Sequence, residues 1–528
     1  MRTSNISWFW FVALATLLSL PCSLMAQQWP NGPDEDPQDA PPNDPGFANA
    51  WNLWSHVPAE WIENNPDISA SEIALGTGIH ADRAWQRTIG DRSVVVAVLD
   101  SGIRWSHDDL LGKHYLHRPE LDHYKPTQGP ESTDPFDVNG DGVFNIFDYS
   151  HADPDFGADK DVNGNGLFDP GDLIQLASDG VDADDNGFID DISGWDFFFN
   201  DNDPFDDTDF GHGTGEARDS VAAGNNGKGE IGVCPECSLL NVRVGDAFVV
   251  DANDFAEGVI FAVDSGALVI QEALGSLNNT AYSQAAIEYA YANNVGVVAS
   301  AADELSFHHN MPGTNNHTMY VHAVVYDGSK PHKSSTFLNF NNCTNYGGQL
   351  LLSTPGTGCS SEATGITAGH VGLIYSAAVQ AELSPPLSAE EVRGVLIQSA
   401  DDIDVAGSGS DATKFPSGPG WDMHFGYGRN NARTSVDLVL DDRIPPEADI
   451  VLPRWFEVLH IDRTPNVVIE GRIGSRVDGE PARYASYEWI VEYAHGVDPK
   501  SEWVLVDAGT TSGMEGVLTT WDVAEASA

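Results

Sequence analysis

The chain has 528 residues, with 25 Lys and Arg against 80 Asp and Glu, and a formal net charge of −55. A surface this acidic repels phosphate backbones and anionic lipid, which excludes nucleic-acid and membrane-surface roles. Hydrophobic residues make up 41% of the chain, and apolar runs such as 93–99 and 267–270 exclude a disordered protein.

Residues 1–26 carry Arg2, an apolar run from Trp8 to Leu20, a Pro21 break and small residues up to Ala26. That run is too short to span a bilayer, so the stretch reads as a secretory signal cleaved after Ala26. Cys22 leaves a lipid-anchored alternative, against which Pro21 argues. No later run approaches ~18 apolar residues, so no membrane span is expected in the mature chain. Residues 27–78 are acidic and Pro-rich, and 27–47 read as an extended linker. The run SVVVAVLDSG then has the form of a strand buried on both faces that ends in a functional turn at Asp100.

The acidic stretch 137–193 holds a loop pattern in two near-identical copies. DVNGDGVFNIFD places Asp137, Asn139, Asp141, the Val143 carbonyl, Asn145 and Asp148 at alternating and closing positions of a twelve-residue frame. DVNGNGLFDPGD repeats it with Asp161, Asn163, Asn165, the Leu167 carbonyl, Asp169 and Asp172. Such spacing curls the backbone so that oxygens point inward, as calcium requires, and Gly142 and Gly166 permit the sharp turn. Asp in place of Glu at the closing position predicts weak affinity, of about 10⁻⁴–10⁻³ M, sufficient outside the cell. A third copy offers Asp182, Asp184, Asn186, the Phe188 carbonyl and Asp190, but has Ser193 at its closing position and is incomplete. These loops resemble those of dockerin-like and thrombospondin-type repeats. The implied cofactor is calcium, in a structural role.

Further buried runs at SLLNVRV, GALVIQEAL, GVVASAA and MYVHAVV alternate with helical stretches such as 251–262 and 283–292. Strand–helix alternation predicts an α/β fold with a parallel sheet and helices on both faces, its ligands bound at the carboxyl ends of the strands. Beyond the signal, Cys234, Cys237, Cys343 and Cys359 are expected as disulfides 234–237 and 343–359, with a four-thiolate zinc site as the alternative. Residues 441–528 alternate apolar and polar residues between Gly turns, which predicts a small antiparallel β module, incomplete at its end.

Three blocks carry a family resemblance. Asp100 in VVVAVLDSGI, His212 in FGHGTGEARDSVAAGNNG and Ser361 in CSSEATGITAGHVGLIYSAA resemble the catalytic blocks of subtilisin-like serine proteases, supported by IGVCPECSLLNVRV, VVASAAD and FGYGRNNA. The order Asp, His, Ser is the known order of that family and not an inference from these residues. The resemblance implies a peptidase domain over 79–440, with the calcium-loop insert at about 130–205. It also implies a substrate strand at Ala273, Leu274, Gly275 and Ser276, and peptide or protein substrates. The residues agree: a Ser hydroxyl needs a base within hydrogen-bond reach, and that base needs an orienting carboxylate.

Two departures matter. Asp303 stands where the family has an Asn that donates to the oxyanion, and losing one such donor costs about 2.7–4 kcal/mol. Asp303 could be protonated and donate, turn away, or be replaced by His308 or His309. An acid-shifted optimum follows from the first case. Glu272, Asp303, Glu304 and Glu362 are expected near the cleft, where they would favour basic substrate side chains. The sequence therefore predicts a secreted or extracytoplasmic, monomeric, calcium-stabilised serine endopeptidase, with a catalytically impaired binding protein as the rival reading.

Overall fold

The computed structural model describes residues 29–64, 68–126, 133–152, 160–325, 343–404, 415–475, 483–499 and 503–524. The predicted secretory signal lies outside the described residues. Seven strands form one parallel sheet: β1 Val95–Asp100, β2 Gly194–Asp196, β3 Ser238–Arg243, β4 Val269–Glu272, β5 Gly296–Ser300, β6 Thr318–Val324 and β7 Leu352–Pro355. Their order is β2-β3-β1-β4-β5-β6-β7, with β1 at the centre of one half and Asp100 in register with Arg243.

The helices are α1 Ala59–Asn64, α2 Ala70–Leu75, α3 Ala81–Ala84, α4 Ile146–Ala152, α5 Pro170–Ala177 and α6 His212–Val221. They continue as α7 Ala252–Asp264, α8 Ala281–Ala292, α9 Cys359–Gln380, α10 Ala389–Ser399 and α11 Ala432–Leu440. Alternate side chains of β1 enter opposite cores, as the pleat dictates. Val96 and Val98 join Ala217 of α6 and Ile366, Val371 and Ile374 of α9, while Val95, Ala97 and Leu99 join Phe255 and Val259 of α7 and Ile287 of α8. Burying each such aliphatic side chain contributes about 1.5–3 kcal/mol. Sheet-buried helix α9 is rich in small residues because α6 crosses it closely: a Cβ on Gly369 would lie 2.6 Å from the Ser220 carbonyl oxygen.

The Pro-rich stretch expected to be an extended linker is folded onto this domain. Trp29 and Phe47 pack on Trp85 with centroids 5.7 and 5.9 Å apart. Backbone bonds run from Gly78 N–H to the Trp54 carbonyl and from Ile79 N–H to the Asn52 carbonyl, each 2.8 Å. The aromatic side chains supply the buried area that the acidic composition hides. Cys234–Cys237 and Cys343–Cys359 are disulfide-bonded, which removes the zinc alternative.

The C-terminal region forms two antiparallel sheets from β8 Glu447–Leu452, β9 Asn466–Gly474, β10 Tyr487–Tyr493, β11 Val504–Thr511 and β12 Met514–Asp522, in the orders β12-β9-β8 and β10-β11. Strand β8 docks on the α/β domain through Asp449, whose carboxylate meets His317 Nε2 at 3.1 Å, while His317 Nδ1 meets Glu288 at 3.0 Å.

Candidate active site

Asp100 ends β1 and is 1% exposed. Its carboxylate accepts the Ser101 N–H at 2.7 Å and lies 2.9 and 3.0 Å from His212 Nδ1. His212 is the first residue of α6. The turn before it is held by Asp206, which accepts the N–H of Phe210 at 3.1 Å and of Gly211 at 2.6 Å. A side chain at Gly213 would come within 2.5 Å of the Gly102 carbonyl oxygen and 3.0 Å of the Asp100 Cβ, so glycine there lets the helix begin against the carboxylate. Buried Arg243, beside Asp100 in the sheet, reaches Asp196 at 3.1 Å and Asp207 at 2.7 Å and fixes the same loop.

Ser361 is the third residue of α9, and its Oγ lies 3.1 Å from His212 Nε2 and 3.4 Å from the Ala273 carbonyl oxygen. Three elements distant in sequence thus form one hydrogen-bonded line from carboxylate to imidazole to hydroxyl. Burial pulls the His212 pKa down, but the Asp100 charge and hydrogen bond outweigh it and raise the value to about 9. Phe210 stacks on the imidazole with centroids 5.8 Å apart, and Phe248 meets it edge-on at 5.1 Å, which shields the line from water.

Two cavities meet at Ser361. One, of about 290 Å³, is lined by Ala273, Leu274, Gly275, Ser276, Ala302 and Asp303, so the expected substrate strand borders it. The other, of about 640 Å³, lies on the His212 side between Gly215–Asp219, Thr357–Glu362 and residues 46 and 49–53 of the N-terminal segment. Asn52 Nδ2 donates to Glu362 Oε1 at 2.8 Å across this second cavity's wall. The other Glu362 oxygen accepts the N–H of Thr357 at 2.6 Å and that of Gly358.

The acids expected near the cleft divide. Asp303 borders both cavities; its Oδ1 accepts the Ser360 N–H at 3.0 Å and the Ser360 hydroxyl at 2.6 Å, and no described group hydrogen-bonds its Oδ2. Burial raises its pKa against those two bonds. Glu304 lines the smaller cavity and is engaged by Asn345 and Asn310. Glu272 corrects the expectation: it is fully buried, lines neither cavity, and burial together with the Asp100 charge pushes its pKa well up. His308 and His309 also line neither cavity, and His309 Nε2 is spent on the Gly348 carbonyl at 2.9 Å. They are not the replacement donors.

Sequence reasoning missed Glu216 and Asp219, which border the larger cavity one and two helical turns beyond His212. Glu216 accepts from Gln271 at 3.0 Å, and burial raises its pKa to about 8. The signal was available, since GEARD places acids at helical spacing after His212. The N-terminal wall at 46–53 had no such signal.

The acidic loops take the same shape twice. Asp137 accepts the N–H of Gly140 and Gly142, and Asp161 that of Asn165 and Gly166, at 2.9–3.0 Å. The closing carboxylates Asp148 and Asp172 are fully buried and accept the N–H of Val138, Asn139 and Asn145 and of Val162, Asn163 and Asp169. Asn139 and Asp141, and Asn163, Asn165 and Asp169, are linked by side-chain bonds. The backbone of Val143 and Leu167 is held at Asp141 and Asn165. The carboxylate oxygens of both loops accept backbone and amide N–H groups. Among the described residues, the acids whose oxygens gather as a group within 4.8 Å of one another are Glu120, Asp182 and Asp184. In the third copy Asp182 and Asp184 keep this frame, but Asp190 turns out of it and accepts the N–H of Asp179 and Gly180, both at 2.9 Å.

Residues 91–428, well over half of the chain, match the subtilase family, peptidase family S8. The chain is 30% identical over 253 residues to a thermophilic serine proteinase of Bacillus sp. strain AK1, covering 46% of this chain and 56% of that protein. It is also 30% identical over 226 residues to thermitase of Thermoactinomyces vulgaris, covering 41% of this chain and 76% of that enzyme. A cell wall-associated protease of Bacillus subtilis shares 29% identity over 286 residues, 50% of this chain and 30% of its own length. With the parallel sheet and the three motif blocks in place, this chain belongs to the subtilase family.

Proposed function

We propose that the protein is a secreted serine endopeptidase, stabilised by calcium, that hydrolyses peptide bonds through Asp100, His212 and Ser361. The observation that carries this reading is the continuous contact from Asp100 through His212 to the Ser361 hydroxyl. Asp100 holds the imidazole with its Nδ1 protonated, so Nε2 is free to take the Ser361 proton as Oγ attacks the scissile carbonyl. The same proton then passes to the leaving amine. The acyl half of the substrate pairs along Ala273–Ser276, and the leaving half lies in the cavity on the His212 side.

The developing oxyanion meets the start of α9, where the Ser361 N–H is one of the helix groups without an intrahelical acceptor. Asp303 supplies the second donor when protonated. Ser360 occupies Oδ1 with two donated hydrogen bonds, so the proton sits on Oδ2. A carboxyl held neutral by its surroundings can serve as such a donor. The alternative, that an ionised Asp303 silences the site and leaves a binding protein, is what the same residue favours if it loses that proton. Burial raises the pKa of the acids bordering the larger cavity, Glu216, Asp219 and Glu362, so they favour a basic residue after the scissile bond at alkaline pH, where they ionise.

Calcium is assigned to the first two loops, with Asp137, Asn139, Asp141, Val143, Asn145 and Asp148 in one and Asp161, Asn163, Asn165, Leu167, Asp169 and Asp172 in the other. When bound it neutralises the carboxylates and holds the insert together, outside the chemistry. Export is supported by the two disulfides. Among the described residues no helix is long and apolar enough to cross a membrane.

The test is digestion of casein and of paired peptides with Arg or Leu after the scissile bond, using the exported chain and His212→Ala. Cleavage that is lost in the variant and faster for the Arg peptide supports the reading; equal turnover of the pair removes the basic preference. Chelation is expected to lower the melting temperature and open the insert to added protease, and no change in either removes calcium. Each site held at a hundred times its Kd is worth about 2.7 kcal/mol.

A further inference from the structure

The third acidic loop is incomplete as a sequence, because Ser193 stands at its closing position. In the structure Ser193 faces elsewhere, its hydroxyl donating to the Tyr115 carbonyl at 3.0 Å. Apart from Asp190, which accepts the N–H of Asp179 and Gly180, the rest of the frame is intact. Asp182 accepts the N–H of Asn186 at 3.1 Å and of Gly187 at 2.8 Å, and Asn186 Oδ1 accepts that of Phe188 at 2.8 Å. The Phe188 ring anchors the loop among Trp195, Phe197 and Phe261, with centroids 5.1, 5.6 and 4.9 Å away.

A carboxylate from outside the insert occupies the vacant end. Glu120 is 1% exposed, and its Oε1 accepts the Ala183 N–H at 2.8 Å across 63 residues of sequence. No described group donates to its Oε2. Oxygens of Glu120, Asp182 and Asp184 all lie within 4.8 Å of one another. A fourth carboxylate stands beside them: Asp191 is fully buried, its Oδ2 accepting from Asn186 Nδ2 at 3.1 Å and meeting His117 Nδ1 at 2.9 Å. Its Oδ1 has no hydrogen-bond partner. An acceptor buried without a donor is costly, and so are two buried carboxylates, Glu120 and Asp191, set beside half-buried Asp182 and exposed Asp184. A cation that takes six to eight oxygens relieves both at once.

We infer that Glu120 completes a calcium site in the third loop, with Asp182, Asp184, Asn186 and Asp191 as its other side-chain ligands. Glu takes the closing role that Asp148 and Asp172 fill in the other loops, and its longer side chain can bind the ion through both oxygens. Asp191 replaces Asp190, which is committed to Asp179 and Gly180. Calcium as the ion rests on the same reading proposed for the first two loops, but the site itself does not depend on them. Its structural effect differs as well. The first two loops close on themselves, whereas this one ties the segment carrying His117 and Glu120 to the approach to β2.

The experiment is calorimetric titration of the chelator-stripped exported chain with calcium, with bound ions counted by native mass spectrometry. Glu120→Gln removes the charge and keeps an acceptor for the Ala183 N–H. The variant is expected to bind one ion fewer than the wild type, or that ion at least about ten-fold more weakly, with the other sites unchanged. Its melting temperature in chelator should equal that of the wild type. If Glu120→Gln melts lower there, Asp182→Asn is the replacement variant and should lose the same ion. Equal ion number and affinity in the charge-removed chain would overturn the assignment. Loss of ions in Asp148→Asn and Asp172→Asn alone would overturn this site and leave the other two standing. A wild-type chain that binds no calcium would overturn all three.

Discussion

The two sides of Ser361 are built from different material. On the His212 side both ring nitrogens have partners: Asp100 closes on Nδ1, Nε2 faces the Ser361 hydroxyl, and Phe210 and Phe248 pack on the ring. On the Asp303 side stands a carboxylate with one oxygen bound to Ser360 and one oxygen left over. The Ser361 hydroxyl is therefore assembled in its resting geometry, while on the proposed reading stabilisation of the transition state depends on a proton at Asp303. On that reading activation and stabilisation of the oxyanion are separable, and they answer to opposite ends of the pH scale.

The largest effect that sharpens this contrast is expected from Asp303→Asn. An amide donates at every pH and carries no charge, so kcat should rise by about 10²–10³ at alkaline pH. The sign of the pH dependence follows from the two groups. His212 acts only when neutral, which favours the rate as pH rises toward about 9. Asp303 donates only when protonated, which favours the rate as pH falls toward its own raised pKa. The wild-type profile is then a bell lying below about 9, and Asp303→Asn should convert it into a rise to an alkaline plateau. A wild-type rate that is flat from pH 7 to 9 would remove the proton from Asp303.

A smaller effect is expected on the leaving-group side. Asn52→Ala removes the hydrogen bond that joins the N-terminal segment to Glu362, worth about 1 kcal/mol. That corresponds to roughly five-fold in kcat/KM for peptides that extend past the scissile bond. Substrates with only a small leaving group should be unaffected. Equal loss for both kinds would place residues 46–53 outside the cleft.

How much of this was legible in the sequence follows from how local each signal is. Asp100, His212 and Ser361 lie at the ends of a buried strand and at the starts of two helices, positions that neighbouring residues encode, so the alternation and the motif blocks reveal them. The first two acidic loops are contiguous and equally plain. Glu120 carries no such signal. It enters the third loop only because the chain folds back over 63 residues, and a frame with Ser193 at its end gives no hint of a replacement. The substitution of Asp191 for Asp190 is a matter of which side chain the turn points inward, which spacing leaves undecided. The N-terminal segment misled for a compositional reason. Its prolines and acids read as a linker, while Trp29, Phe47 and Trp54, irregularly spaced, bind it to the domain. Glu272 read as a cleft acid because it directly precedes the expected substrate strand, yet every residue of β4 is buried, so neither face of that strand opens on the cleft.

The most direct test of the central claim is labelling of the exported, calcium-loaded protein with a fluorophosphonate that reacts with activated serines, with Ser361→Ala as control. Covalent labelling of the wild type that vanishes in the variant is the predicted result. A folded, calcium-bound protein that takes no label across the pH range would contradict it, and the chain would then be a binding protein on a protease fold.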